Sequence, residues 1–275
     1  MVDNNSKSNK SIVLKRNEIV YLAALTGNFQ IIGIEVPINT MDQGFIKSEF
    51  KMVIDELKRK KIIRTGKVEN IIINEIIYAI INACCIHDAY ILVNNTQKYD
   101  KVLEHHYYVS KGFIVSMLNL GNDEEYEFNI LNTIEEMKDL ILKRTIMYDI
   151  DSEKTKNVKL PKKMLFQMKE ELGKEVPDED IAKKIEKYGY TIDDVSDIFD
   201  LLNKPDIYFS IFINKLFDDT LIGKNIVFIQ NNKNIYQMKE VIDEEEMIFE
   251  FIPLKYKEAE TSICEVLDNI KIKYK

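Results

Sequence analysis

The chain has 275 residues, 45% of them hydrophobic, and 38 basic against 46 acidic side chains give it a formal net charge of −8. That length buries a substantial core, in one large domain or two ordinary ones, and the negative total repels phosphate and anionic lipid unless a local basic patch intervenes. Of the three cysteines, Cys84 and Cys85 are adjacent, which does not suit an ordinary structural disulfide, so the set reads as the reduced thiols of a cytoplasmic protein.

Met1–Ser11 is rich in Asn, Ser and Lys without an apolar run and reads as a disordered tail rather than a secretion signal. Residues 12–148 form the first half. Leu14, Ile19, Leu22, Ala23 and Leu25 lie at near-helical spacing and predict a short helix over Leu14–Thr26, with Gly27 as its stop. Gln30–Val36, apolar and with Gly33 ahead of Pro37, predicts an extended connection. Phe50, Val53, Ile54 and Leu57 mark one face of a helix over Ser48–Lys61, and Ile62–Lys67 follows as a small strand and turn. Asn70–Cys85 reads as one buried helix; the apolar stretch Ile71–Ile86 is interrupted by Asn74, Glu75 and Asn82 and is too short to span a bilayer.

After His87 the period changes from helical to alternating. Strands are expected near Ala89–Asn94, His105–Ser110, Phe113–Leu120 and Tyr126–Leu131. Thr133-x-x-Glu136 is a capping-box pattern that opens a helix running to about Met147, because hydroxyl and carboxylate each satisfy an orphan backbone N–H. Residues 149–159 are polar and aperiodic and predict a linker.

The second half, 160–275, opens with Leu160-Pro161 and a helix to Leu172, stopped by Gly173. Pro177-Asp178-Glu179-Asp180 begins another helix that Gly189 ends, and Thr191–Leu202 is a third. Strands follow near Asp206–Ile213, Asn225–Gln230, Asn234–Val241 and Met247–Pro253, then a helix over Lys255–Lys273. Helices, a four-strand meander and a closing helix thus occur twice. Aligning Tyr90 with Tyr208 and Phe128 with Phe251 keeps the spacing within a few residues. The expected fold is α+β: two related halves, antiparallel meander sheets with flanking helices, and a pseudo-twofold relation.

The chemistry-bearing residues do not assemble a motif. Cys84, Cys85, His87, His105 and His106 are the soft-ligand set, but neighbours on a helix or a strand diverge, so packed thiols and imidazoles are expected rather than a metal site or a Cys–His nucleophile. Gly223-Lys224 lacks the glycine of a phosphate loop, which is Asp218 here. Asp243–Glu246 reads as a solvated turn. Lys47–Lys67 carries eight basic residues against three acidic ones, in an order like part of a winged helix, which gives a DNA-binding regulator as the alternative reading. The aromatic strands are mostly core. A run such as Tyr208–Ile213 still cannot hide every large side chain on one face, and Tyr208, Phe212, Phe228 and Tyr236 are the candidates for contact with a partner.

Leu14-Lys15-Arg16-Asn17-Glu18-Ile19-Val20-Tyr21-Leu22, the later Leu57-Lys58-Arg59-Lys60-Lys61-Ile62-Ile63 and the repeated sheet and helix resemble the EspG-type proteins of ESX (type VII) secretion. In those, an acidic residue in a first helix precedes a leucine–basic–basic–turn element and two related α/β halves. The resemblance implies a non-enzymatic cytoplasmic chaperone or adaptor. Such a protein uses no cofactor or metal, binds no membrane, nucleic acid or small molecule, and keeps a helical secreted protein soluble for export. It places substrate contact on the sheet and helices of the C-terminal half. The Asn-, Ile- and Lys-rich composition differs from the alanine-rich actinobacterial members, which points to WXG100-like or LXG-type partners rather than PE/PPE pairs.

Overall fold

The computed structural model describes residues 11–28, 30–34, 43–67, 70–97, 102–121, 124–145, 147, 149–150, 152–165, 179–203, 205–217, 220–243, 246–268 and 270. The tail Met1–Lys10, the helix end at Leu172-Gly173 and the turn at Pro177-Asp178 lie outside them.

Ile12–Lys15 is a strand, β1, and not the start of a helix. It pairs antiparallel with β7 (Glu125–Leu131), Ile12 opposite Phe128 and Leu14 opposite Tyr126. Helix α1 (Arg16–Leu25) begins where the Glu18 carboxylate accepts the Lys15 N–H at 2.8 Å. After α2 (Gln43–Arg59), strands β2 (Ile63–Thr65) and β3 (Ile71–Ile73) form a small separate hairpin. The single helix expected over Asn70–Cys85 is therefore divided. Three consecutive β-branched isoleucines favour the strand, and Asn74 caps α3 (Glu75–Cys85), its side-chain oxygen accepting the Ile76 N–H at 3.0 Å.

Strands β4 (Ala89–Gln97), β5 (Leu103–Ser110), β6 (Phe113–Asn119) and β7 form the first meander, closed by α4 (Ile134–Arg144). Thr133 Oγ1 accepts the Glu136 N–H at 3.0 Å, while Glu136 accepts from Asn132 rather than from Thr133 itself. The predicted linker is pinned at both ends. The side-chain Oδ1 of Asn234 accepts from Ser152 Oγ and the Glu153 N–H, each at 3.0 Å, and Val158–Pro161 is strand β8. Helices α5 (Glu179–Lys187) and α6 (Ile192–Asn203) precede the second meander of β9 (Ile207–Phe217), β10 (Thr220–Gln230), β11 (Ile235–Asp243) and β12 (Glu246–Leu254). Helix α7 (Tyr256–Asp268) follows.

The two meanders are not separate sheets. β4 and β9 pair antiparallel along nine residues, from Ala89 opposite Lys215 to Gln97 opposite Ile207, and make one ten-stranded sheet. Its order is β1-β7-β6-β5-β4-β9-β10-β11-β12-β8, so each half lays its first strand outside the last strand of its own meander.

Strand alternation divides the core. Tyr90, Tyr108, Met117 and Phe128 pack under α1, α2 and α3 on one face; the register puts Ile229, Tyr236 and Phe251 on that same face under α5 and α6. Ile91, Tyr107, Phe209, Ile211 and Phe228 fill the opposite face with α4 and α7. Each fully buried aromatic side chain contributes about 2–3 kcal/mol of transfer free energy.

Candidate partner-binding surface

On the first face, two helical layers flank the central strands β4, β9 and β10. Phe212 lies opposite Leu92 on one side and Asn225 on the other and keeps 39% of its surface exposed, against 0% for Phe209 on the reverse face of the same strand. Its ring edge stands 4.0 Å from where a Cβ at Gly223 would be, so the aromatic covers a bare stretch of β10 backbone. Ser210, Asn214, Asn94 and Asn225 surround it. Asn94 Nδ2 donates to Ser210 Oγ at 3.4 Å, whereas the Oδ1 atoms of Asn94 and Asn214 are buried with no hydrogen-bond partner among the described residues. An exposed aromatic within a hydrogen-bonding rim is the arrangement that supplies most of the energy of a protein interface.

The four aromatic candidates divide between surface and core. Phe212 is exposed, and Tyr208 is half-buried against the core under α5 and α6. Phe228 and Tyr236 are 0% and 1% exposed and offer no surface to a partner. The Phe228 ring lies 6.2 Å from that of Phe209 beneath α7, and Tyr236 sits in the core beneath α6. Alternation within β9 separates Phe209 from Phe212, and the β9–β10 register, with Phe228 opposite Phe209, puts Phe228 on the buried side. The asparagines around Phe212 escape a reading of single strands, because β4 and β9 are brought together from distant parts of the chain.

Of the soft side chains, Cys84, His105 and His106 are buried. His105 and His106 project to opposite faces of β5: Arg144 donates to His105 Nδ1 at 2.7 Å, and His106 Nδ1 is 2.7 Å from the Tyr90 hydroxyl. Burial pushes the pKa of both imidazoles down to about 4, with the Arg144 charge adding to the effect at His105. Burial also raises Cys84 well above the usual thiol range and Cys85 to about 11, so neither supplies a thiolate nucleophile near neutrality. The described residues contain no group of three or more His, Cys, Asp or Glu side chains placed to hold a metal ion.

The basic segment is partly consumed by the fold. Glu18, 0% exposed, takes the Lys60 ammonium at 2.7 and 2.8 Å on its two oxygens. Glu56 pairs with Lys15 at 3.2 Å and Arg59 at 3.5 Å, and the Lys15 hydrogen bond and charge hold its carboxyl below the usual range. The two stretches Leu14–Leu22 and Leu57–Ile63 are thus one structural unit, joined through Glu18 and Lys60.

No family model matches the sequence, and no curated protein matches it. A solved structure does: the Mycobacterium tuberculosis type VII secretion system chaperone EspG5, in complex with a PE25–PPE41 dimer, superposes with a TM-score of 0.65 over 94% of this chain and 96% of its own, at 10% identity. The chain has the EspG fold. At that identity the likeness is one of architecture, and it extends over both halves of the molecule. Among the described residues, no helix of this EspG-fold chain is long and apolar enough to cross a membrane.

Proposed function

We propose that this EspG-fold chain is a non-enzymatic cytoplasmic chaperone that holds a helical protein destined for type VII secretion, of the WXG100-like or LXG kind, and keeps it soluble until export. The observation that carries the reading is Phe212, exposed between two helical layers and ringed by Asn94, Ser210, Asn214 and Asn225, on a fold shared with a chaperone solved on its PE25–PPE41 dimer. Tyr208 adds area at the edge of the same strip. The aromatic anchors the apolar end of a helical hairpin, and the surrounding amides satisfy backbone groups at its turn.

Co-expression with a helical secreted protein encoded beside it gives a complex that survives gel filtration at moderate salt. Phe212→Asp abolishes the complex and leaves the chaperone folded. A neighbouring secreted protein that stays insoluble with or without the chain, or that binds the Phe212→Asp variant as well as the wild type, refutes the assignment.

A further inference from the structure

Two adjoining grooves, of about 620 and 600 Å³, lie on the N-terminal half and share Lys61, Ile62, Asn74 and Ile76. The first runs between the end of α2, the β2–β3 hairpin and the start of α3. Asn74 ties these elements together: its N–H donates to the Ile62 carbonyl at 2.8 Å, and its side-chain oxygen caps α3. The groove is therefore built before any ligand arrives. Its lining has two kinds of wall. Lys58, Lys61 and Arg64 supply three cations, none of which pairs with a carboxylate among the described residues, whereas neighbouring Arg59 and Lys60 are taken up by Glu56 and Glu18. Ile72, directly opposite Arg64 in the hairpin, is 40% exposed, and Ile76 is 56% exposed. Glu75 is the acidic side chain that lines the groove with them.

Lys61 also carries a conformational cost. It is the one non-glycine residue with positive φ among the described residues, at 58°. Its N–H donates to the Lys58 carbonyl at 3.0 Å and the Ile62 N–H to the Leu57 carbonyl at 2.9 Å, so Lys61 is the left-handed residue that closes α2, where glycine is usual. Glycine would close the helix with less strain but would take a cation out of the groove. Strain retained at a groove wall is a pointer to binding. The lining chemistry then selects the occupant. A phosphate backbone would meet the cations and leave the isoleucines in water, and a bilayer surface cannot enter a concave groove. A protein segment that carries carboxylates beside aliphatic side chains satisfies both walls. In a chain of net charge −8, this concentration of unpaired cations marks a place for an anionic partner.

We propose that this groove docks an acidic amphipathic helix of a second partner protein, with aliphatic side chains against Ile72 and Ile76 and carboxylates against Lys58, Lys61 and Arg64. The contact leaves the Phe212 strip free. β1, which borders the adjoining groove, and β9 are five strands apart in the sheet, about 24 Å at about 4.8 Å per strand. That is beyond the reach of a helix about 10–12 Å across seated on Phe212. Two separate sites let one chain hold two proteins at once, and the groove does not depend on what Phe212 binds. The contact is small and partly ionic, so it forms at roughly 10–100 µM and weakens with salt.

Fluorescence anisotropy on the full chain tests it, with a labelled amphipathic peptide of about 18 residues that carries leucine on one face and glutamate along its border. The expected Kd is roughly 10–100 µM at low salt, weakened about tenfold by about 0.5 M salt and again by glutamine in place of every peptide glutamate. In isoleucine-methyl NMR spectra the peptide shifts Ile72 and Ile76 and leaves Ile211, on the reverse face of the sheet, unmoved. Lys61→Glu/Arg64→Glu loses about tenfold or more in affinity with an unchanged thermal melt. Lys61→Gly melts about 2–4 °C higher yet binds about threefold more weakly. Phe212→Asp binds the peptide as the wild type does, which separates this site from the central strip. Four results overturn the proposal: no saturation by the peptide below about 1 mM, equal affinity for the glutamine peptide, affinity unmoved by the groove variants, or loss of the peptide in Phe212→Asp. Duplex DNA that binds more tightly than the peptide and is lost in Lys61→Glu/Arg64→Glu overturns it too and reassigns the groove to nucleic acid. Self-association of the chain that the same variant abolishes overturns it in favour of a second copy.

Discussion

Gly33 and Gly27 have almost the same backbone, φ 85° and 83°, in opposite surroundings, and the pair isolates what one methyl group costs at the sheet surface. A Cβ at Gly27 would have nothing within 4 Å. At Gly33 it would stand 2.5 Å from His106 Nδ1 and 3.0 Å from Nε2. The ring cannot move aside easily, since it is 2% exposed and its Nδ1 is held by the Tyr90 hydroxyl. Alanine in the left-handed region costs about 1–2 kcal/mol at either site, and overpacking a well-filled position adds about 1–3 kcal/mol. Gly27→Ala should therefore destabilise by about 1–2 kcal/mol and Gly33→Ala by about 2–5 kcal/mol. Urea unfolding followed by circular dichroism, with equal m-values for the three proteins, measures the difference. If the two variants agree to within about 0.5 kcal/mol, His106 yields freely and the packing reasoning is wrong.

Lys60→Met leaves the buried Glu18 carboxylate with the Lys15 N–H as its remaining partner among the described residues; the loss is about 2–3 kcal/mol, below the about 3–5 of a fully buried pair because Lys60 retains 30% of its side-chain exposure. Adding Glu18→Gln should recover part of it, and a double-mutant cycle by denaturant unfolding reads the coupling. His105 and His106 stay neutral in the folded protein down to about pH 4, whereas the unfolded chain takes up protons below about pH 6.5. Their contribution is thus intact above pH 6.5 and is lost as the pH falls from there towards 4, by up to ~1.4 kcal/mol per pH unit for each. Melting temperatures from pH 7 to pH 4.5 should fall less steeply in His105→Gln than in the wild type. Phe212→Ala should move stability by less than ~1 kcal/mol, since the ring is exposed, and should weaken the secreted partner at least tenfold by titration calorimetry; an unchanged affinity removes Phe212 from the interface.

The elements inside each half were legible because their signals are local. Alternation marked Phe113–Leu120 and Tyr126–Leu131, and the Thr133-x-x-Glu136 cap marked α4 to within a residue of its start. Errors fell where tertiary pairing overrides period. Leu14 carries a helix-like spacing but is a β1 residue buried opposite Tyr126, and Ile71–Ile73 left the helical pattern to pair with β2. At the candidate site, Phe212 could be read as an aromatic without a core to enter, while Phe228 could not be told from it without knowing which face α7 covers. Asn94, Asn214 and Asn225 come together through the β4–β9 and β9–β10 pairings, the first of which joins segments more than a hundred residues apart in the chain.

That central pairing bears on how the molecule can be cut. β4 is interior to the sheet only because β9 lies against it, so a fragment ending near residue 148 would keep the β5 pairing but leave the donors and acceptors along the other side of this nine-residue strand unmatched. The half-molecule should be recovered as aggregates, or as twinned fragments in which one β4 takes the place of the missing β9. Attempts to express either lobe for crystallisation would do better to divide the protein elsewhere, or not at all.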